Sequence, residues 1–232
     1  MTDQHKHPEP ARHARLVGAL AIALAASLVI QNAIVIGVGG PAFGDPIAQV
    51  FDFHAQNRTA VAIVIGLEAL NLPLLLGFVT GLQGIVERRG SAGVGWSRLA
   101  VAAAATLSAV FAIYAVLWAG VVLYAGLVAE PNATFELLWR LHAAAFALAL
   151  PAMGVTFVGA ALATNASGLT APWLRMLGWG GAALLVAAGG VTVAIADGSP
   201  LLFVGMPGYA AWLVWLVGAG VRLMRTRRSA AT

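Results

Sequence analysis

Six long apolar runs holding only three charged residues between them dictate most of what this chain can fold into. They are Leu16–Val38, Thr59–Leu82, Leu99–Leu127, Leu137–Ala163, Leu174–Ala196 and Leu201–Val221, and the three charges are Glu68, Arg140 and Arg175. Each run reaches the roughly 20 residues a helix needs to cross a bilayer. With no water in that layer, backbone groups must pair within the segment, so each run is expected to be helical. Composition agrees: 60% of residues are apolar and 9% charged, against about a quarter charged in a soluble domain. The mean hydropathy of +0.88 also disfavours a transmembrane barrel, whose strands alternate polar and apolar residues. The expected fold is all-α, a six-transmembrane-helix bundle with short loops. Its domain covers residues 16–221, between an N-terminal tail (1–15) and a basic C-terminal tail (222–232). The third run is the longest, which favours tilt. The first is too long for a signal-peptide core and is expected to remain as an uncleaved span.

The links carry their own signals. Asp197-Gly198-Ser199-Pro200 reads as a tight turn, with Gly198 ending one helix, Ser199 capping the next and Pro200 opening it. Asp45-Pro46 repeats the cap-plus-proline pattern in the longest loop. After it Ile47, Val50, Phe51 and His54 recur at helical spacing between Gln49, Asp52 and Gln56. This pattern predicts a short amphipathic helix over 46–57, lying in the extracytoplasmic interface with that stripe toward the membrane; an irregular loop is the alternative.

Basic residues set the orientation. The N-terminal tail, the loop after the second run, the start of the fifth run and the C-terminal tail hold 11 of the 13 Lys and Arg residues. Six crossings put those four segments on one side, leaving Arg58 and Arg140 on the other. The positive-inside rule then places both termini in the cytoplasm. Asp45, Asp52, Glu130, Glu136 and Asp197 fall on the opposite side.

Ionisable groups inside a bilayer cost about 2.5–3.5 kcal/mol on insertion scales, so they are the first functional candidates. Glu68 lies near the middle of the second run, Asn71 shares its helix face one turn on, and Pro73 withholds a backbone donor from Ala69. One reading is a proton, cation or substrate site; the other is a structural hydrogen-bond clasp to a neighbouring helix. Arg140 enters the fourth run a few residues deep. It can snorkel to the headgroups or turn inward to Glu68. His142, about 200° around the helix from Arg140, reads as a packing residue. Gln31 and Asn32 in the first run and Tyr114 in the third add polar groups at similar depth. Glu68, Asn71, Arg140, Gln31 and Asn32 together make the candidate intramembrane polar site.

Other features read as structural. Gly77 and Gly81 form a GxxxG pair, and Ala100, Ala104, Ser108 and Ala112 a small-residue stripe, both permitting close helix packing. Trp96, Trp139, Trp173 and Trp179 fall near expected interfaces, with Trp118, Trp212 and Trp215 deeper. The absence of cysteine excludes disulfides, thiolate metal sites and a cysteine nucleophile. Lys6, the only lysine, sits in the tail, which excludes a retinal Schiff base. No histidine pair at matching depth suggests haem, and no HExxH, GxSxG or Walker pattern occurs. His5, His7 and His13 read as solvated tail residues. No catalytic residue, cofactor or metal is therefore expected. The expected partner is the lipid bilayer; nucleic acid is not indicated, and self-association stays open.

Leu72-Pro73-Leu74-Leu75-Leu76-Gly77-Phe78 running into Glu87-Arg88-Arg89-Gly90 resembles a boundary pattern of uncharacterised polytopic membrane proteins from high-GC actinobacteria, a group of domains of unknown function. Pro172-Trp173-Leu174 before Leu177-Gly178-Trp179-Gly180, and Trp212-Leu213-Val214-Trp215 before a basic tail, extend that resemblance over most of the chain. It implies a bacterial plasma-membrane location and brings no activity with it. The functional expectation is a non-enzymatic multi-pass membrane protein. The alternative is a small transporter or channel-like protein using Glu68, although no half-to-half repeat is visible.

Overall fold

The structure, a computed structural model, describes residues 9–225. Among them the chain forms eight helices and no strand: α1 (Glu9–Gly37), α2 (Ile47–Gln56), α3 (Arg58–Arg88), α4 (Val94–Ala125), α5 (Ala133–Ala166), α6 (Pro172–Gly189), α7 (Thr192–Ala196) and α8 (Leu202–Arg225). Of these α1, α3, α4, α5 and α8 are long and apolar enough to cross a membrane. The helices overrun the apolar runs at several ends. Residues 9–15, expected as tail, continue α1; the remaining N-terminal residues, His5 and His7 among them, lie outside the described part.

Six helices close into a ring in chain order, α1–α3–α4–α5–α6–α8, with α8 returning to α1. Every adjacent pair is antiparallel. Val17 meets Gly81 while Gln31 meets Glu68. Arg58 meets Gly126 while Glu87 meets Arg98. Ala100 meets Gly159 while Tyr114 meets His142. Ala161 meets Gly178 while Pro151 meets Gly189, and Leu174 meets Gly218 while Ala188 meets Gly205. Gly18 meets Gly220 while Asn32 meets Tyr209. Small residues at the tightest contacts let the backbones approach, as packing within lipid requires. The buried centre joins Leu82, Phe78, Phe157, Trp212, Trp215 and Leu216.

Two helix boundaries need correction. The fifth run does not form one helix over 174–196: α6 stops at Gly189, and α7 begins at Thr192. Two consecutive glycines followed by two β-branched residues make this the weakest helical stretch of the run. Thr192 Oγ1 donates to the Gly189 carbonyl at 2.7 Å, satisfying a group the break exposes. Second, Asp45 does not cap α2. Its carboxylate accepts from the Ala42 backbone N–H at 2.8 Å, and α2 starts behind Pro46 without a side-chain cap.

The helix expected after Asp45 is present, but its stripe faces protein. Val50, Phe51 and His54 are buried, with Val50 and Phe51 packed among Val121, Ala125, Phe135 and Trp139 of α4 and α5. The aromatic ends of α4 and α5 offer a surface of matching size, which the pattern of α2 alone cannot reveal. Trp139, expected in an interfacial belt, belongs to this cluster and is 5% exposed. Trp96, Trp173 and Trp179 stand exposed on the outside of the ring. Between α7 and α8, Gly198 adopts φ +88° and Ser199 Oγ accepts from the Leu201 N–H at 3.3 Å; Pro200 sits in the turn that leads into α8.

Candidate functional site

The ring interior holds a linked polar trio in apolar surroundings. Gln31 Nε2 of α1 donates to Glu68 Oε2 of α3 at 2.6 Å. Asn71 Nδ2, one turn along α3, donates to Gln31 Oε1 at 2.8 Å. All three side chains are buried. The chain of bonds runs Asn71 to Gln31 to Glu68, so Gln31 is satisfied on both faces of its amide. Asn71 Oδ1 has no partner and is fully buried. A buried acceptor without a donor costs about 1–3 kcal/mol, which makes it the open valence of the trio.

The trio borders a cavity of about 190 Å³. A cavity of about 150 Å³ accepts benzene, so this one has room for a small organic molecule. Leu24, Leu28, Leu72, Leu75, Leu107, Leu150 and Met153 line its apolar walls, with Phe111, Tyr114, Trp118, Phe146, Tyr209 and Trp212 as an aromatic surround. Residues of α1, α3, α4, α5 and α8 contribute, so the closed ring creates the space. Asn32 lies at its edge and donates to the Tyr209 hydroxyl at 2.9 Å and to the Leu28 carbonyl at 2.8 Å.

Four of the five polar residues singled out from the sequence thus surround one cavity: Gln31, Asn32, Glu68 and Asn71. Arg140 does not join them. Its guanidinium turns outward, to Glu136 at 2.9 Å and Asp197 at 2.6 Å, and it is about half exposed. Two carboxylates at the helix end offer it hydrated pairing, whereas reaching Glu68 would strip its water without that return. Tyr209, Trp118 and Trp212 join the lining beyond the residues the sequence points to. A phenol in the middle of an apolar run is a signal in itself, because a buried hydroxyl seeks a partner; Tyr209 finds Asn32.

A second cluster caps the ring at the α2 end. Trp118 Nε1 donates to His54 Nε2 at 3.1 Å. That ring nitrogen therefore carries no proton, and His54 Nδ1 donates to the Val50 carbonyl at 2.7 Å. His54 is thereby defined as a neutral imidazole, and burial holds its pKa below the usual 6.5 against the opposing pull of that backbone bond. His142 stacks on Tyr114 with centroids 4.2 Å apart and on Trp139 at 5.2 Å. Both histidines serve aromatic packing. Among the described residues no group of three or more His, Cys, Asp or Glu side chains could hold a metal ion.

No family model, curated protein or solved structure matches this chain.

Proposed function

We propose that this is a six-span bacterial plasma-membrane protein, both termini cytoplasmic, that binds a small molecule inside its helix ring at Glu68. It is a non-enzymatic binder of the carrier type. The observation carrying this reading is the Gln31–Glu68–Asn71 trio set against a cavity instead of against packed side chains, with Asn71 Oδ1 unpartnered. A clasp that served only to join α1 and α3 would need neither the cavity nor the open acceptor. Six crossings are supported by the ring itself, because α6 lies antiparallel between α5 and α8. The resemblance noted above supports the bacterial plasma membrane, and the basic residues support the orientation.

Cysteine labelling separates a ligand cavity from a dry clasp, and the cysteine-free chain makes it clean. In lipid nanodiscs, Asn71→Cys should react with 2-aminoethyl methanethiosulfonate, whereas Phe78→Cys, buried in the packed centre, should not. Equal inertness of both would leave a structural clasp and end the binding reading.

A further inference from the structure

We infer that the cavity takes an amphiphilic primary amine, and that this ligand arrives from the bilayer through the seam between α1 and α8. This rests on the binding reading above. Among the described residues the lining contains one carboxyl, that of Glu68, and no Lys, Arg or His. An ammonium head is the group such a lining recognises. It is all donor, and the trio offers the Glu68 carboxyl as acceptor at the cavity, with the unpartnered Asn71 Oδ1 buried behind it. Tyr114, Trp118 and Tyr209 in the same lining add aromatic surface suited to cation–π attraction. A carboxylate or phosphate head would meet the Glu68 carboxyl with no Lys, Arg or His in the lining to pair it. The apolar walls exclude a ligand that is all head.

The route follows from how α1 meets α8. At one end the two backbones touch: a Cβ on Gly18 would lie 2.6 Å from the Gly220 carbonyl oxygen. At the other end they are joined through two reaching side chains, Asn32 and Tyr209. The cavity opens beside that second contact, where Asn32 and Met206 are exposed. Below it an apolar groove runs down the outside of the same seam, between Ile22, Ala26, Val29 and Ile30 on one wall and Val214 and Val217 on the other. Groove and cavity are separate hollows on the same helix pair, and the Asn32–Tyr209 contact stands at the cavity's edge. An amphiphile can lie in the groove with its head at Asn32 and Tyr209, and breaking one exposed hydrogen bond admits that head to Glu68. Pro207, two residues before Tyr209, weakens the local backbone ladder of α8 at that point.

The test uses the full chain in nanodiscs with tritiated decylamine as probe. Saturable binding is expected, competed by unlabelled decylamine at least tenfold better than by decanol or decanoate, and weakened at least tenfold by Glu68→Gln. Asn32→Cys with Tyr209→Cys, joined by a short bis-methanethiosulfonate linker, should slow association at least tenfold, with recovery on reduction. The same linker across Glu87→Cys and Arg98→Cys, on the α3–α4 seam, should leave the rate unchanged. Unchanged association through the linked α1–α8 seam overturns the route and leaves the cavity reading standing. Equal competition by decanoate or decanol overturns the amine. Absence of Glu68-dependent saturable binding overturns this inference, and inert Asn71→Cys in the labelling experiment would show that the binding reading had failed with it.

Discussion

A buried amide or carboxyl must find a partner, and at residue scale that requirement organises both polar clusters. Gln31 answers Glu68 and Asn71 together, leaving Asn71 Oδ1 without a partner. In the other cluster His54 is closed on both sides, accepting from Trp118 and donating to Val50. Protonating His54 would put a donor where it now accepts, facing the Trp118 N–H. Because its folded pKa is depressed, the unfolded chain binds more protons once the pH drops below about 6.5. Stability is therefore full above that value and is lost as pH falls through it toward the folded pKa. The apparent unfolding temperature in detergent should decline between pH 7.5 and pH 5. His54→Gln, which cannot titrate, should make that decline shallower. Parallel slopes for the parent and this variant would show that His54 does not control it.

The elements are governed by how closely their backbones approach. Gly81 of α3 faces Val17 of α1 so tightly that any side chain there must displace it, whereas the space beside Gly66 on the same helix is open. Gly81→Leu should cost about 1–3 kcal/mol by overpacking. Gly66→Ala should be neutral or gain about 0.5–1 kcal/mol from the better helix former. Unfolding in mixed micelles measures both, and equal effects would mean that α1 and α3 do not pack as described. The spacing of Gly77 and Gly81 already marks that face as small, but not which helix meets it. The same limit recurs elsewhere. Glu68 and Asn71 share a face by their three-residue spacing, so two members of the trio are legible in the chain; Gln31 joins only when α1 packs antiparallel on α3. The α2 stripe is legible as a stripe, yet its burial under Phe135 and Trp139 depends on where α5 begins. Gly189-Gly190 within an otherwise apolar run is a visible weakness that hydropathy averaging conceals. Arg140 had two possible partners by reach, and only the position of Asp197 beside it decides the outward one.

At the scale of the whole molecule, a ring of antiparallel neighbours puts alternate connections at opposite ends. At one end the α1–α2 loop meets the α7–α8 turn through Gly44 and Gly198, and Arg140 ties α5 to Asp197. At the other, Arg89 donates to the Ser167 carbonyl and Ser167 Oγ to the Ala92 carbonyl, joining the α3–α4 and α5–α6 connections. The broken member is the α6–α7 segment. An α6 of 18 residues spans only about 27 Å at 1.5 Å per residue, short of a full crossing with its headgroup margins. The chain continues through α7, which packs on α5, to Asp197 beside Arg140 near the start of α5. Meanwhile Gly178, near the start of α6, lies against Ala161 near the end of α5. The broken segment therefore follows α5 along most of its length, which supports the sixth crossing proposed above. Reporter fusions after residues 50, 92, 130, 168 and 198 should alternate outside, inside, outside, inside, outside, with a fusion at the C-terminus inside. The pair at 168 and 198 is decisive. If both report the cytoplasm and the C-terminus reports the outside, α6–α7 turns back within the membrane, and the basic C-terminal residues would then lie on the side that the positive-inside rule disfavours.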